Sequence, residues 1–226
     1  KMTIASNQSE KLSNIKITEI KNLIESFNIK NEKFIQNSYV ANFEVNFNKQ
    51  NTLLFFEKKN VFPSLPVQKN IFILPVFVDT EKKNINLFEK NPFLSEWIAE
   101  RKNYHLLNYV LPTDDLDLVK ILNNNYNNLE NYNYKNLIKN YGYSDYIICL
   151  IFKEKKEIKV FSRININNQI KIKSKIFNTI DLSNLDKVKE LINKIQKTYE
   201  DTWKFNNQIN RSVKLAININ VLSKEY

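Results

Sequence analysis

The segment IFILPVFVD at Ile71–Asp79 decides the fold of this chain, together with NPFLSEW at Asn91–Trp97 and YHLLNYVLPTDDLD at Tyr104–Asp117. The first segment is apolar throughout before its final aspartate, which is typical of a strand that helices cover on both faces. The Asn-Pro pair of the second segment predicts a helix start, and the proline of the third segment ends a strand before another helix. We therefore expect the order strand, helix, strand, helix.

Within this stretch, the helix that starts at Pro92 is predicted to bury one stripe, and Thr113 is predicted to cap the next helix. Further on, Asn123–Asn133 is predicted to be a loop, and Gly142 is expected to end a helix in the left-handed conformation. Three strands, a long helix capped by Ser183 and a final strand should follow. The stripe is Phe93, Leu94, Trp97 and Ile98, and the later elements are Tyr134–Tyr141, Tyr146–Phe152, Ile158–Ile164, Gln169–Phe177, Leu185–Trp203 and Val213–Val221.

Upstream of this stretch, the pattern changes. Ile20, Leu23, Ile24 and Phe27 recur at helical spacing after Thr18, which predicts an amphipathic helix. Two strands should follow, and strict alternation in the second predicts one buried face and one solvated face. A helix and a proline-bracketed break are predicted next. These elements are the strands Ile29–Ile35 and Tyr39–Phe47, the helix Gln50–Lys59 and the break between Pro63 and Pro66.

The predicted fold class is therefore α+β or α/β. An α-β-β-α subdomain should occupy residues 1–66, and a mixed-sheet α/β sandwich domain with the order β-α-β-α-α-β-β-β-α-β should occupy 67–226. The chain begins at Lys1 rather than Met and ends at Tyr226 directly after a predicted strand. We expect a fragment of a longer protein, and we expect no membrane span in it, because its apolar runs are far shorter than about 20 residues.

Several short motifs resemble those of the bacterial domain-of-unknown-function family 2066, over nearly the whole chain. The positions that carry the resemblance are Leu74-Pro75-Val76, Phe88–Phe93 with Trp97, Leu111–Leu116 and Asn140–Asp145, and, nearer the amino terminus, Phe27, Ile29, Glu32, Lys33, Tyr39, Ala41, Val45 and Phe47. The chain departs from the family at Leu87 and Phe93, where family members carry Trp, and at Thr113, where they carry Gly. These departures weaken the idea of an aromatic stacking site.

The resemblance implies a periplasmic or envelope-associated protein with an upstream signal peptide. The strand order is also similar to that of the amino-terminal domain of TolB and of curli-secretion lipoproteins, which are envelope assembly or interaction modules. A shared fold transfers no activity. The resemblance therefore implies a protein partner in the envelope, and we expect neither catalysis nor a cofactor.

The formal net charge of +10 invites a polyanion-binding hypothesis. However, only three of the 34 basic residues are arginine, the residue whose planar fork binds phosphate and guanine bidentately. We interpret the lysine excess as codon bias. The row Lys171, Lys173 and Lys175 is interpreted as a solvated sheet face or a protected edge. A module that uses its lysines to bind a polyanion, either nucleic acid or an acidic surface, is kept as the alternative function.

The sequence lacks the residues that several kinds of chemistry require. Gly142 is the only glycine, so the chain can contain neither the phosphate-binding loop GxxxxGKS or GxxxxGKT nor the dinucleotide-binding turn GxGxxG. His105 is the only histidine and is interpreted as structural rather than as a general base. Cys149 is the only cysteine, which excludes an internal disulfide or a cysteine-based zinc site within these 226 residues. Its apolar surroundings in the sequence predict a core residue.

The best polar constellation is Asp114, Asp115 and Asp117, at the carboxyl end of a predicted strand, where α/β sheets commonly place ligands. Asp79, at the end of the neighbouring strand, could join them to hold Mg²⁺ or Ca²⁺. The alternative is that these carboxylates only cap a helix and complement its dipole. A metal-dependent hydrolase is thus a third hypothesis, behind the non-enzymatic interaction module and the polyanion-binding module.

Overall fold

The structure is a computed structural model that describes residues 2–100 and 105–209. The final strand predicted at Val213–Val221 lies outside the described residues. Contacts between Cα atoms divide the chain into two compact units, Lys1–Leu65 with Lys204–Tyr226, and Pro66–Trp203. The predicted break at Pro63–Pro66 lies beside this division, whereas the predicted second domain extended to Tyr226.

The first unit contains short helices around a two-stranded hairpin. Its strands β1 and β2 pair antiparallel through a two-residue turn, Gln36-Asn37, in which both residues have positive φ, as in a type I′ turn. Asn48 caps the helix that follows, because its Oδ1 accepts a hydrogen bond from Asn51 N at 3.0 Å. The elements are α1 (Ser6–Ser9), a 3₁₀ turn (Glu10–Leu12), α2 (Ile17–Lys21), β1 (Ile24–Ile35), β2 (Ser38–Phe47) and α3 (Lys49–Lys58).

The helix predicted from Thr18 through Phe27 is wrong beyond its first turns. Helix α2 ends at Lys21, and Ile24 and Phe27 belong to β1. Phe27 pairs with Val45, and Ile29 pairs with Phe43. Cross-strand apolar pairs of this kind stabilise a hairpin, so the strand outcompetes a helical spacing that only four residues supported.

The second unit confirms the α+β class, with a six-stranded mixed sheet in the order β4-β3-β6-β7-β8 and β5 paired to β3. Strands β3, β5 and β6 run parallel, while β4, β7 and β8 are antiparallel to their neighbours. The strands and helices predicted between Ile71 and Trp203 are present, and β4 was missed. The elements are β3 (Lys69–Asp79), β4 (Asn84–Asn86), a 3₁₀ turn (Phe88–Lys90), α4 (Leu94–Glu100), β5 (Leu107–Val110), α5 (Leu116–Asn124), a 3₁₀ turn (Tyr126–Asn128), α6 (Lys135–Lys139), β6 (Tyr146–Lys153), β7 (Glu157–Ile166), β8 (Gln169–Asn178) and α7 (Leu185–Asn206).

Helices cover the sheet on both faces. Alternate residues of β3 and β6 point to opposite faces, and every residue from Ile71 to Asp79 is buried. One core packs α4 and α7 against the sheet through Trp97, Ile192 and Tyr199. The other core packs α5 and α6 against the opposite face. The continuous apolar run Ile71–Val78 is therefore part of a strand between two helical layers.

Pro75 lies in the middle of a strand that has neighbours on both sides, which prolines usually avoid. On one side β3 pairs with β6, where Pro75 is opposite Cys149. On the other side β5 pairs with β3 only up to Phe72, and β4 pairs only from Phe77. In the gap between them, Asn91 Nδ2 donates to Pro75 O at 3.1 Å, and Asn91 Oδ1 accepts from Phe93 N at 3.0 Å. Asn91 thus caps α4 and closes the gap in the sheet.

Some details of the helices differ from the prediction. Asn184 rather than Ser183 caps α7, because its Oδ1 accepts from Lys187 N at 3.2 Å, while Ser183 binds Asp181. Ile98, predicted to be buried, is 48% exposed. Gly142 is left-handed as predicted, with a φ of +78°, but α6 ends at Lys139 and its C-cap is Asn140, so the helix is shorter than predicted.

Candidate functional site

The acidic cluster is organised around Asp115, which caps α5 in place of the predicted Thr113. Asp115 Oδ1 accepts from Asp117 N at 2.9 Å and from Leu118 N at 3.0 Å. Asp114 and Asp117 are exposed, and Asp117 lies 3.6 Å from the Lys120 ammonium. One carboxylate therefore caps the helix, and the other two face solvent.

Asp115 is also tied to the core. The Tyr141 hydroxyl donates to Asp115 Oδ2 at 2.6 Å, and the Tyr141 ring stacks on Phe72 with ring centroids 4.9 Å apart. The hydrogen bond from Tyr141, followed by that from Leu118 N, holds the pKa of Asp115 below its ordinary value. Burial and the bond to Asp115 raise the pKa of Tyr141. This arrangement stabilises a charged cap.

Asp79 lies elsewhere on the sheet. It is buried at the end of β3, and its Oδ1 accepts from Lys82 N at 3.1 Å in the turn toward β4. Phe72, which marks the position of the Tyr141–Asp115 pair, is seven residues back along the same strand, or about 23 Å at the rise of a strand. Asp79 therefore shapes a turn and does not join Asp115.

The structure does not assemble the predicted metal site. Within residues 2–100 and 105–209, His, Cys, Asp and Glu form no group of three or more that could hold a metal ion. Strand β3, which ends at Asp79, and β5, which precedes Asp115, are neighbours, as predicted, but β5 pairs only with the first residues of β3. Its carboxyl end therefore stops well short of Asp79.

His105 and Cys149 both have structural surroundings. His105 Nδ1 lies 3.3 Å from Glu200 Oε1, and the same oxygen accepts from Leu106 N at 2.9 Å, which ties the start of β5 to α7. Cys149 is fully buried beside Tyr199, and burial raises the pKa of its thiol to about 12. A thiol that stays protonated is a poor nucleophile.

The most unusual surface of the first unit is one face of the β1–β2 hairpin. The predicted buried face of β2 is wrong for the described residues, because both faces of the strand are largely exposed. Phe27 and Phe43 are each 60% exposed, and Phe34 is 73% exposed. We call this the hairpin face; it consists of Ile24, Phe27, Ile29, Phe34, Tyr39, Ala41, Phe43, Val45 and Phe47.

The opposite side of the hairpin is polar and internally bonded. Lys30 forms an ion pair with Glu44, and Asn46 Nδ2 donates to Ser26 Oγ at 3.2 Å. A groove of about 1040 Å³ adjoins the base of the hairpin, where Val45 and Phe47 lie beside Phe56 of α3. Apart from Ile35 and Val40 near the turn, this opposite side is polar, so the hairpin is an amphipathic ribbon with both faces exposed.

A second open surface lies on the second unit, along β8. This strand is at the end of the described sheet, and Ile170, Ile172 and Ile176 on one of its faces are each 59% exposed. Between α6 and this strand is a cleft of about 640 Å³, lined among others by Lys135, Lys139 and Arg163. Sequence reasoning found the lysine row of β8 but missed the isoleucine row on its other face, although the same alternation signals both.

Comparisons with known proteins add no identity. No family model matches the chain, and no curated protein matches it. A solved structure titled "Crystal structure of uncharacterized protein" is similar at 6% identity with a TM-score of 0.22, over 64% of this chain and 94% of that one. A likeness at this level carries no argument. The resemblance to family 2066 and to TolB stays a prediction.

The prediction that the chain contains no membrane span can be compared with the helices of the structure. In the part of the chain that the structure describes, none of the helices is long and apolar enough to cross a bilayer. The longest, α7, has 22 residues, but its sequence is rich in charged side chains.

Proposed function

We propose that this chain is a non-enzymatic protein-interaction module whose hairpin face binds an amphipathic helix of a partner protein. The observation that carries the proposal is the exposure of this face, with Phe27, Phe34 and Phe43 all at least 60% exposed. A two-stranded hairpin is marginally stable alone, and contiguous exposed apolar patches mark binding sites in soluble proteins. A covering partner would stabilise the hairpin and remove this surface from water.

The dimensions of the face fit a single helix. Strand β2 has ten residues, which makes the ribbon about 33 Å long, and two strands with their side chains are about 10 Å wide. The projected footprint of the face is therefore roughly 330 Å². It fits one helix of about twenty residues, which is ~30 Å long and ~10 Å in diameter.

The low charge of the hairpin also supports a contact that is apolar and uncharged. Residues 24–47 contain two lysines and three glutamates, although the whole chain has a net charge of +10. The hairpin is therefore the wrong place for a polyanion. A helix whose apolar side chains recur every three or four residues would bury them against the phenylalanines, as in groove-type helix recognition.

The location in the bacterial envelope is part of the same proposal and rests on the family resemblance alone. An envelope partner, an upstream signal peptide and the absence of catalysis follow from that resemblance. Recovery of the full open reading frame tests the location directly, since a signal peptide or a lipid-attachment cysteine would support it. A reading frame that begins close to Lys1 without such a leader would contradict it.

The contact itself is tested by photocrosslinking. A benzophenone analogue of phenylalanine replaces Phe43, or Asn42 on the opposite face, in the full chain in the cells that produce it. We expect crosslinks only from position 43, mapped by mass spectrometry to the apolar stripe of a helix in another protein. In the chain labelled at position 43, Phe27→Glu should reduce the crosslink at least tenfold, because it places a charge in the apolar contact.

Asn42→Glu is the matched control in the chain labelled at position 43, since Asn42 pairs with Lys30 on the polar side of the hairpin. It should leave the yield unchanged. Crosslinks to another copy of the chain, or back to the same chain, would mean that a different surface covers the face. Equal yields from positions 42 and 43 would mean that no specific contact exists. Each of these outcomes overturns the proposal.

A further inference from the structure

In the part of the chain that the structure describes, β8 is the edge strand of the sheet. Among the described residues, β8 pairs only with β7, through the ladder from Glu157↔Asn178 to Ile166↔Gln169. Every second residue of an edge strand points its N–H and C=O away from its neighbour, so the edge can accept another strand. This surface belongs to the second unit and is independent of the hairpin face.

The two faces of β8 have opposite chemistry. Ile170, Ile172 and Ile176 lie on the face that also carries Arg163 of β7, and Ile172 is directly opposite Arg163. Lys173 and Lys175 lie on the other face, opposite Ser162 and Val160. An incoming strand would therefore meet isoleucines on one side and lysines on the other.

The surroundings of the edge are basic. Lys135 and Lys139 of α6 line the cleft that Ile170 and Arg163 share. Arg163 is held in place there, since its two terminal nitrogens donate to Tyr132 O and Glu130 O, each at 2.7 Å. Glu130 is already paired with Lys159 at 2.7 Å. The charge that a partner must complement here is positive.

The lysines select among partners. If β8 paired with β8 of a second copy, rows of lysines would face each other, and like charges directly opposite are destabilising. A strand with acidic side chains in alternate positions would turn this repulsion into attraction. The same lysines would therefore disfavour self-pairing of the edge and favour an acidic strand.

A polypeptide fits this surface better than a nucleic acid. Isoleucines that are 59% exposed gain nothing from a phosphate backbone but are buried by the apolar side chains of a strand. The open N–H and C=O groups of β8 also match those of an extended chain. We propose that β8 binds a segment of another protein in which acidic and apolar residues alternate, by addition of a strand to its edge.

Fluorescence anisotropy of the full chain with a labelled peptide of about ten alternating Glu and Val residues tests this. We expect saturable binding that weakens as salt is raised, because exposed charges are screened. Peptides that alternate Lys with Val, or Glu with Ser, should bind at least tenfold more weakly. Hydrogen exchange should show new protection of the β8 amides.

Lys173→Glu should weaken binding by about fivefold, since it replaces an exposed attraction with a repulsion. Lys82→Glu, an exposed lysine in the turn between β3 and β4, makes the same change in net charge away from the edge and should have little effect. Phe27→Glu on the hairpin face should also have no effect, which keeps this test separate from that of the proposed function.

Three results would overturn the proposal. Equal loss in Lys82→Glu and Lys173→Glu would mean that only net charge matters. Equal binding of the Glu/Ser and Glu/Val peptides would remove the role of the isoleucines. Binding of a single-stranded oligothymidine as tight as that of the Glu/Val peptide, with the same loss in Lys173→Glu, would identify the strip as a polyanion site instead.

Discussion

At the scale of single residues, Asp115 is the member of the acidic cluster with a structural role. It caps α5 and accepts from the Tyr141 hydroxyl at 2.6 Å. We expect Asp115→Ala to lower the free energy of unfolding at neutral pH by about 1 kcal/mol, as for other lost caps. Asp114→Ala, at an exposed neighbour, should change it by less than about 0.5 kcal/mol.

The pH dependence of that difference follows from the sign of the shift. The pKa of Asp115 is lowered in the folded protein, so its ionised form stabilises the fold above the ordinary pKa of about 3.9. This contribution is lost as the pH falls through the lower, folded pKa. Urea unfolding of wild type and Asp115→Ala should therefore differ at pH 7 and converge in strong acid. A gap that stays constant with pH would contradict the role of the charge.

The thiol of Cys149 should be inert in the folded protein. Its pKa is raised to about 12 by burial, so almost none is thiolate at pH 8, and the side chain is fully buried. We expect iodoacetamide to label Cys149 only as fast as the protein unfolds, and to label it rapidly in urea. Rapid labelling without denaturant would show that the β6 core opens locally.

At the scale of elements, Asn91 makes the irregular part of the sheet possible. Its side chain is 3% exposed and bonds to both Pro75 O and Phe93 N. We expect Asn91→Ala to destabilise the protein by about 2 kcal/mol, because it removes a cap and leaves a buried carbonyl without a partner. Thermal or urea unfolding measures this. Asn108→Ala, which removes an exposed bond to Asn70, is the control and should cost about 0.5 kcal/mol.

The elements that sequence predicted well are those whose environment is uniform. Ile71–Val78 and Tyr146–Phe152 are apolar without interruption, since helices cover both faces of the central strands. The prediction of a helix after Thr18 was wrong beyond Lys21 because four apolar residues at helical spacing also fit a strand. The pairing of Phe27 with Val45 favours the strand. Strand β4 has three residues and carries no pattern of its own.

The candidate surfaces could be predicted only in part, for a related reason. Alternation in β2 and β8 shows which residues share a face, but it does not show whether another layer covers that face. Asp79 lies at the end of β3, and Asp114 follows β5, its neighbour in the sheet. The two residues lie apart because β5 is short and pairs only with the first residues of β3. Register between strands is a property of the folded sheet, and the sequence of one strand does not encode it.

At the scale of the whole molecule, the second unit has its own core on each face of the sheet. Both hydrophobic clusters are built from residues between Ile71 and Trp203. We expect a chain shortened to residues 66–206 to unfold cooperatively, with near-ultraviolet circular dichroism that shows fixed packing of Trp97 and Trp203. A broad transition without that signal would show that this sheet depends on the rest of the chain.

The turns of the two hairpins constrain how the open surfaces can change in evolution. Gln36-Asn37 and Asn167-Asn168 each place two residues at positive φ between directly paired strands. Such tight turns fix the pairing, and a shift by one residue would exchange the two faces of the strand. Loss or gain of one residue in the first turn would turn one strand over relative to the other, so that either Lys30 or Glu44 would share a face with the phenylalanines of the opposite strand. Descendants of this protein can therefore alter what each ribbon presents by substitution, while a one-residue change in the length of either turn would mix the two faces of its ribbon.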